Sequence, residues 1–199
     1  MIIVLNGYPG TGKLTIGRAL ADRMKGRLLD IHSVYIHSVY NIAFALTEFR
    51  SPEFREAVER VEAIAHDLIL KRPPDEPIIL TTVLTAVLTA VLTAVSAGDN
   101  AWGRAEWARM QTLGARRPPF CVVHVHCALD ENIRRITSPG RQASRKPVDA
   151  QMARRNHAGA RPLMGDDATH LLRLDTTELG ADAAAQAIAA WALDRPARA

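Results

Sequence analysis

Cysteine is scarce: the chain has two, Cys121 and Cys127, in 199 residues. Both sit at odd positions of one expected strand, too far apart along it to bridge. A disulfide framework is therefore excluded, and reduced thiols in a cytoplasmic setting are expected. Aromatic residues make up only 5%, which speaks against a surface that stacks successive bases. "MIIVLN" has no basic start and no cleavage site before the first glycine, so no secretory leader is expected there. Charge is absent from Ile78 to Ala97. That run of twenty residues is long enough to cross a bilayer, but five threonines and a serine dilute it. It is also too long for one strand of a small domain, so only its beginning is expected in the sheet and no membrane partner follows. Acids are nearly absent between Arg134 and Arg161, where Asp149 alone faces eight Lys/Arg. That segment carries +7 of a formal net charge of +4, leaving the remainder at −3. A local cation cluster suits an anionic ligand, phosphate before a nucleic-acid backbone.

What is present is a composition of 48% hydrophobic and 23% charged residues, as in one globular domain spanning 1–199. Five short apolar runs alternate with helical patterns: "MIIVLN", "RLLDI" ending at Asp30, "PIILTT", "FCVVHVHCAL" and "HLLRLDTT". They predict an α/β fold, a five-stranded parallel sheet with helices on both faces. Gly26 is expected to end the first helix. Ser51 and Pro52 form a cap and first turn for a second, with Val58, Val61, Ile64, Ala65 and Leu68 as its buried stripe. Two stretches break the order. "IHSVY" is duplicated at 31–40 and "VLTA" is triplicated at 83–94, periods too short for any repeat architecture. His32 and His37 are five residues apart and cannot occupy the same environment.

The chemistry is concentrated in "NGYPGTGKLT". Gly7-x-x-Gly10-x-Gly12-Lys13 follows a strand and opens a helix. That is the context in which inward-turned amides, a helix dipole and a lysine grip phosphates. "CVVHVHC" invites a metal reading, but in a strand His124 and His126 share one face while Cys121 and Cys127 take the other, so a satisfied strand explains it better. Trp102 and Trp107 are expected as packing residues. Asp30 ends a strand of the expected sheet, where such ends open onto a ligand crevice, and is the candidate for an acceptor hydroxyl. An N-cap role for Asp30 is the competing account, with His32, His37 or Asp99 as alternative functional groups.

"GYPGTGKLT" is similar to the Gly-x-Pro-Gly-x-Gly-Lys-x-Thr loop of adenylate kinases and their relatives. The stretch 134–161 resembles the arginine-rich lid of P-loop small-molecule kinases, and "LLRLDTTELGADAAAQAI" their final strand, base-binding turn and C-terminal helix. Within that branch the chain resembles bacterial P-loop proteins similar to tunicamycin-resistance and chloramphenicol-phosphotransferase proteins. The resemblance implies a P-loop NTPase fold that binds ATP with Mg2+ and transfers phosphate to a small hydroxyl-bearing molecule, as a monomer or homodimer. It implies a nucleotide site of Gly7, Pro9, Gly10, Thr11, Gly12, Lys13, Leu14 and Thr15 with Arg135 and Arg145. Lys13, Asp30, Arg134 and Arg141 would be the catalytic groups. Thr15, not Leu14, would supply the hydroxyl toward Mg2+, with Leu14 packing beneath the loop. One departure stands out: the acid that often ends the third strand is replaced by Thr81-Thr82. A nucleotide-binding protein with slow hydrolysis and no acceptor is the second reading, and a nucleic-acid end kinase the third.

Overall fold

A computed structural model describes residues 1–30, 46–48, 51–84, 99–139, 141, 148–159 and 162–196, with the backbone alone at 99 and 100. Both "IHSVY" copies, Arg145, and the triplicated block beyond Leu84 lie outside these residues. Strands β1 (Ile2–Asn6), β2 (Arg27–Asp30), β3 (Ile78–Thr82), β4 (Phe120–His126) and β5 (His170–Asp175) form one sheet, in the order β2-β3-β1-β4-β5. Every pairing is parallel, with Ile3 opposite both Ile79 and Cys121. Six helices complete the described elements: α1 (Lys13–Met24), α2 (Pro52–Leu70), α3 (Asp99–Arg116), α4 (Leu129–Ile136), α5 (Ala150–Ala158) and α6 (Ala181–Leu193). Among the described residues, no helix is long and apolar enough to cross a membrane.

Two-residue alternation sorts the sheet into two buried faces. Ile3, Leu5, Ile79, Cys121, Val123 and Val125 meet Leu20 of α1 and Ile188 of α6. Ile2, Val4, Ile78, Leu80 and Val122 meet Ile69 of α2 and Met110 of α3. All five residues of β1 are fully buried, as a central strand covered on both sides requires. Because β1 lies between β3 and β4, the loop leaving it opens where chain connections diverge to opposite sides of the sheet.

Two local expectations are corrected. Lys25, not Gly26, takes the left-handed position that ends α1 (φ 53°), and the Gly26 amide closes the turn onto Ala21 O at 2.9 Å. Gly26 is needed for a different reason: a Cβ there would lie 2.4 Å from Pro77 O, where β2 meets the start of β3. On α2, Ser51 Oγ does cap the Phe54 amide (3.2 Å), but Ile64 and Leu68 are 61% and 58% exposed. The inward positions include Phe54, Val58, Glu62 and Ile69. Glu62 is buried because Arg109 of α3 reaches it with Nε at 2.8 Å, while Arg109 also meets Glu59 at 3.2 Å.

Beside this pair the buried Glu106 has its pKa pushed up to about 8 from 4.5, by burial first and then by the neighbouring Glu62 charge, with Arg109 opposing. The folded chain holds a proton there that the unfolded chain releases. This contribution to stability is complete below about pH 4.5 and is lost as pH rises through about 8. Glu106→Gln is expected to flatten the fall in melting temperature across that window. A wild-type and variant slope that stay equal would contradict the assignment.

At the opposite end of α2, the buried Arg117 donates to four main-chain carbonyls: Ile69 (3.2 Å), Arg72 (3.0 Å), Pro73 and Glu76 (2.5 Å). This one guanidinium ties the connection from α2 to β3 against the segment entering β4.

Candidate active site

The loop from Gly7 to Gly12 lies between the end of β1 and α1. Gly7 permits a close approach, since a Cβ there would sit 2.3 Å from Val125 O. Gly10 and Gly12 have φ of 91° and 93°, angles that residues with a side chain rarely adopt. Gly12 is also the N-cap of α1, with no side-chain cap bond and no acid in the first turn. The helix start therefore presents amides and the positive end of its dipole to whatever lies above it.

Side chains hold the loop's carbonyls. Lys13 Nζ donates to Gly7 O (2.7 Å) and Tyr8 O (2.9 Å), drawing the ammonium over the loop. Asn132 Nδ2 of α4 donates to Pro9 O at 2.9 Å. Arg135, one turn further along α4, donates to Thr11 O at 3.3 Å, and the Thr176 hydroxyl is equally near that oxygen. Thr11 itself is buried, its hydroxyl donating to Tyr8 O at 3.0 Å. Leu14 is half-buried, while Thr15 is exposed in the first turn.

Asp30, at the end of β2, stands in register with Thr81 of β3, whose hydroxyl donates to Asp30 Oδ1. A carboxylate is thus offered one strand over from the position where Thr81-Thr82 replaces the expected acid. The exit from β3 is fixed by the buried Asn6, which receives the Leu84 amide (2.9 Å) and donates to Leu84 O (2.8 Å) and Met164 O (3.1 Å).

The geometry divides the basic segment. Glu131, one turn before the acid-poor stretch, pairs bidentately with Arg134 (2.6 Å to each oxygen) and also with Arg135. These pairings hold the Glu131 carboxyl down to about 2. Arg134 remains 72% exposed, whereas Arg135 is 20% exposed and lies against the loop near Gly12. Arg135 also donates to the hydroxyl (3.0 Å) and carbonyl (2.5 Å) of Thr176. Arg141 is half-buried, and burial lowers its pKa. The Asp99 backbone opens α3.

The end of the strand, the glycine turn, Lys13 and the uncapped helix lie within the span over which the sequence matches a protein-family model. The model describes an AAA domain and covers residues 3–157. The chain belongs to the AAA domain family. No significant match was found among curated proteins. Among solved structures, this AAA domain is similar to a protein from Chloroflexus aurantiacus j-10-fl whose structure is described as that of a putative kinase (TM-score 0.57, 20% identity, 94% of this chain and 92% of that one). It is also similar to shikimate kinase from Acinetobacter baumannii (TM-score 0.53, 19% identity, 94% and 89%). A gluconokinase from Sinorhizobium meliloti 1021 gives 0.50, with 14% identity over 96% and 88%. At these identities the likeness establishes the fold: a five-stranded parallel P-loop NTPase sheet of the type found in kinases.

Of the two β4 histidines in the AAA domain, His124 serves the frame and His126 is exposed at the strand end. His124 is buried, its Nε2–H donates to Met164 O at 2.9 Å, and Nδ1 lies 3.4 Å from Asp166. Burial lowers its pKa and keeps it neutral. Cys121 faces the opposite core, and no group of three or more His, Cys, Asp or Glu among the described residues is placed to hold a metal. Trp107 packs on Phe120, and Trp102 packs against Phe54 and Val58 under the Arg55 guanidinium. Sequence reading missed Asn6, Asn132 and Thr176 as individual site residues, although Thr176 lies within the segment read as a base-binding turn.

Proposed function

We propose that this AAA domain is an ATP-dependent phosphotransferase that acts on a small molecule bearing a hydroxyl group. The observation that carries the reading is the loop itself: two glycines at positive φ, Lys13 folded over the turn, and an α1 N-terminus without a cap of its own. Amides so arranged hold phosphate oxygens, and the lysine offsets their charge. The likeness to shikimate kinase and gluconokinase supports transfer to a small acceptor over transfer to a macromolecule.

Mg2+ fits the donors present. Among the described residues no protein-only metal cluster exists, but Mg2+ bound to a nucleotide needs few protein ligands beyond phosphate and water oxygens. The Thr15 hydroxyl is the hard oxygen that would face it, and when bound Mg2+ would neutralise charge on the transferring group.

The reaction asks for alignment and charge neutralisation more than covalent help. The acceptor hydroxyl oxygen bonds to the γ-phosphorus, the bond from that phosphorus to the β–γ bridging oxygen breaks, and ADP leaves. Asp30, already a hydrogen-bond acceptor for Thr81, takes the hydroxyl proton. Gly7, Pro9, Gly10, Thr11, Gly12, Lys13, Leu14 and Thr15 hold the donor. Arg135 is the nucleotide-side cation seated at Gly12, and Arg134 and Arg141 supply positive charge to the transferring group; Arg145, assigned to the nucleotide by the resemblance, lies outside the described residues.

A second reading, nucleotide binding with slow hydrolysis, is favoured by Thr81 and Thr82 standing where an acid is usual. ADP release measured across sugars, nucleosides and hydroxylated antibiotics separates the two. Release that rises with one acceptor class is expected, together with a phosphorylated product. A slow rate indifferent to every acceptor would establish the second reading instead.

A further inference from the structure

We propose that Asn132 is a positioning residue for the phosphate loop: by holding the Pro9 carbonyl, it turns the Gly10 amide toward bound phosphate. The proposal rests on the nucleotide-binding reading of the loop. Asn132 is fully buried and donates through Nδ2 to Pro9 O at 2.9 Å. The orientation of its amide is fixed by chemistry, because a proline carbonyl only accepts and must face nitrogen. The Pro9–Gly10 peptide is trans, so its C=O and N–H point to opposite sides of one plane. Drawing the oxygen toward α4 therefore drives the Gly10 N–H away from α4. The fit is close: a Cβ on Gly10 would stand 2.5 Å from Nδ2 and 3.3 Å from Asn132 O.

Economy of packing points the same way. Asn132 Oδ1 is buried and has no hydrogen-bond partner, a destabilising arrangement that leucine of similar volume would avoid. Neighbouring α4 positions are indeed apolar, with Leu129, Ile133 and Ile136 packed with Met152 and Ala153 of α5. An amide kept in such surroundings has two polar neighbours, the Pro9 carbonyl and the Cys127 side chain, and of these Pro9 belongs to the loop. The other held carbonyls of the loop fit the same scheme: Gly7 and Tyr8 belong to Lys13, and Thr11 to Arg135. Pro9 is served from α4 by Asn132, so one short helix orients two of the loop's peptides.

The test uses the full chain, with Asn132→Leu and Asn132→Asp, and reads three quantities. Calorimetry gives affinity for Mg·ATP and for magnesium tripolyphosphate, which carries phosphates and no base. Thermal melting reports folding, and the Gly10 amide resonance reports the loop. Asn132→Leu is expected to weaken both ligands by the same factor, about ten-fold, with a melting temperature near the wild type. Asn132→Asp sets an acceptor against a carbonyl and should weaken them further. In the wild type, Mg·ATP should move the Gly10 amide proton downfield, and in Asn132→Leu that shift should shrink. Wild-type affinities in a destabilised Asn132→Leu would mean a packing role only and overturn the proposal. So would a wild-type Gly10 amide that does not respond to Mg·ATP, a result needing no variant. A wild-type chain that binds neither ligand would remove the reading of the loop, and this proposal with it; binding that survives in every variant removes this proposal alone.

Discussion

Lys13→Ala is expected to lower phosphate-transfer turnover by about 10²–10³ and to weaken Mg·ATP binding to a similar degree. Two separate losses combine in this substitution. The ammonium charge that would face the β- and γ-phosphates disappears, and so do the donations to Gly7 O and Tyr8 O that draw the loop closed. Lys13 is only half-buried, so the melting temperature should change little while binding collapses. Lys13→Arg preserves charge, but a planar fork cannot take the place of a compact ammonium above two adjacent carbonyls, and little rescue is expected. Calorimetry with Mg·ATP and a coupled assay for ADP measure both consequences. Wild-type affinity in Lys13→Ala would remove the anion cradle from the account.

Arg117→Ala should be the most damaging substitution away from the loop, costing about 3–5 kcal/mol of stability. The side chain is 5% exposed, and it serves the Ile69, Arg72, Pro73 and Glu76 carbonyls together. Truncation would leave those oxygens facing a cavity where the guanidinium stood. Arg117→Lys retains the charge but has one nitrogen for a task that two now share, so it should recover only part of the loss. Urea unfolding of the three proteins gives the comparison, and a shift below about 1 kcal/mol in Arg117→Ala would show that the carbonyls find water instead.

The parts of this molecule that could be read from sequence are those whose signals are local. "MIIVLN" before a glycine loop, Ser51-Pro52 before a long apolar pattern, and the alanine-rich stretch that becomes α6 carry their own instructions. Asp30 was singled out because strand ends open onto a crevice, and the structure places it at the end of β2 with Thr81 directly across the ladder. What could not be read depends on distant partners. Asn6 meets Leu84 across 78 positions, Asn132 meets Pro9 across 123, and Thr176 meets Thr11 across 165. A single polar residue gives no warning of such a meeting. The basic stretch has a local partner just outside its bounds: helical geometry brings Glu131 onto Arg134 and Arg135 at three and four residues. Ile64 and Leu68 of the apolar stripe are exposed, whereas Glu62 points inward, where Arg109 meets it.

Gly12 begins α1 without lending it a side-chain cap, so an anion bound there would partner the first amides of that helix. On the proposed function, the substrate would then also act as a cap of the secondary structure. Protection of those first amides against hydrogen exchange should follow occupancy, and the molecule's resistance to unfolding should rise with the concentration of what it binds.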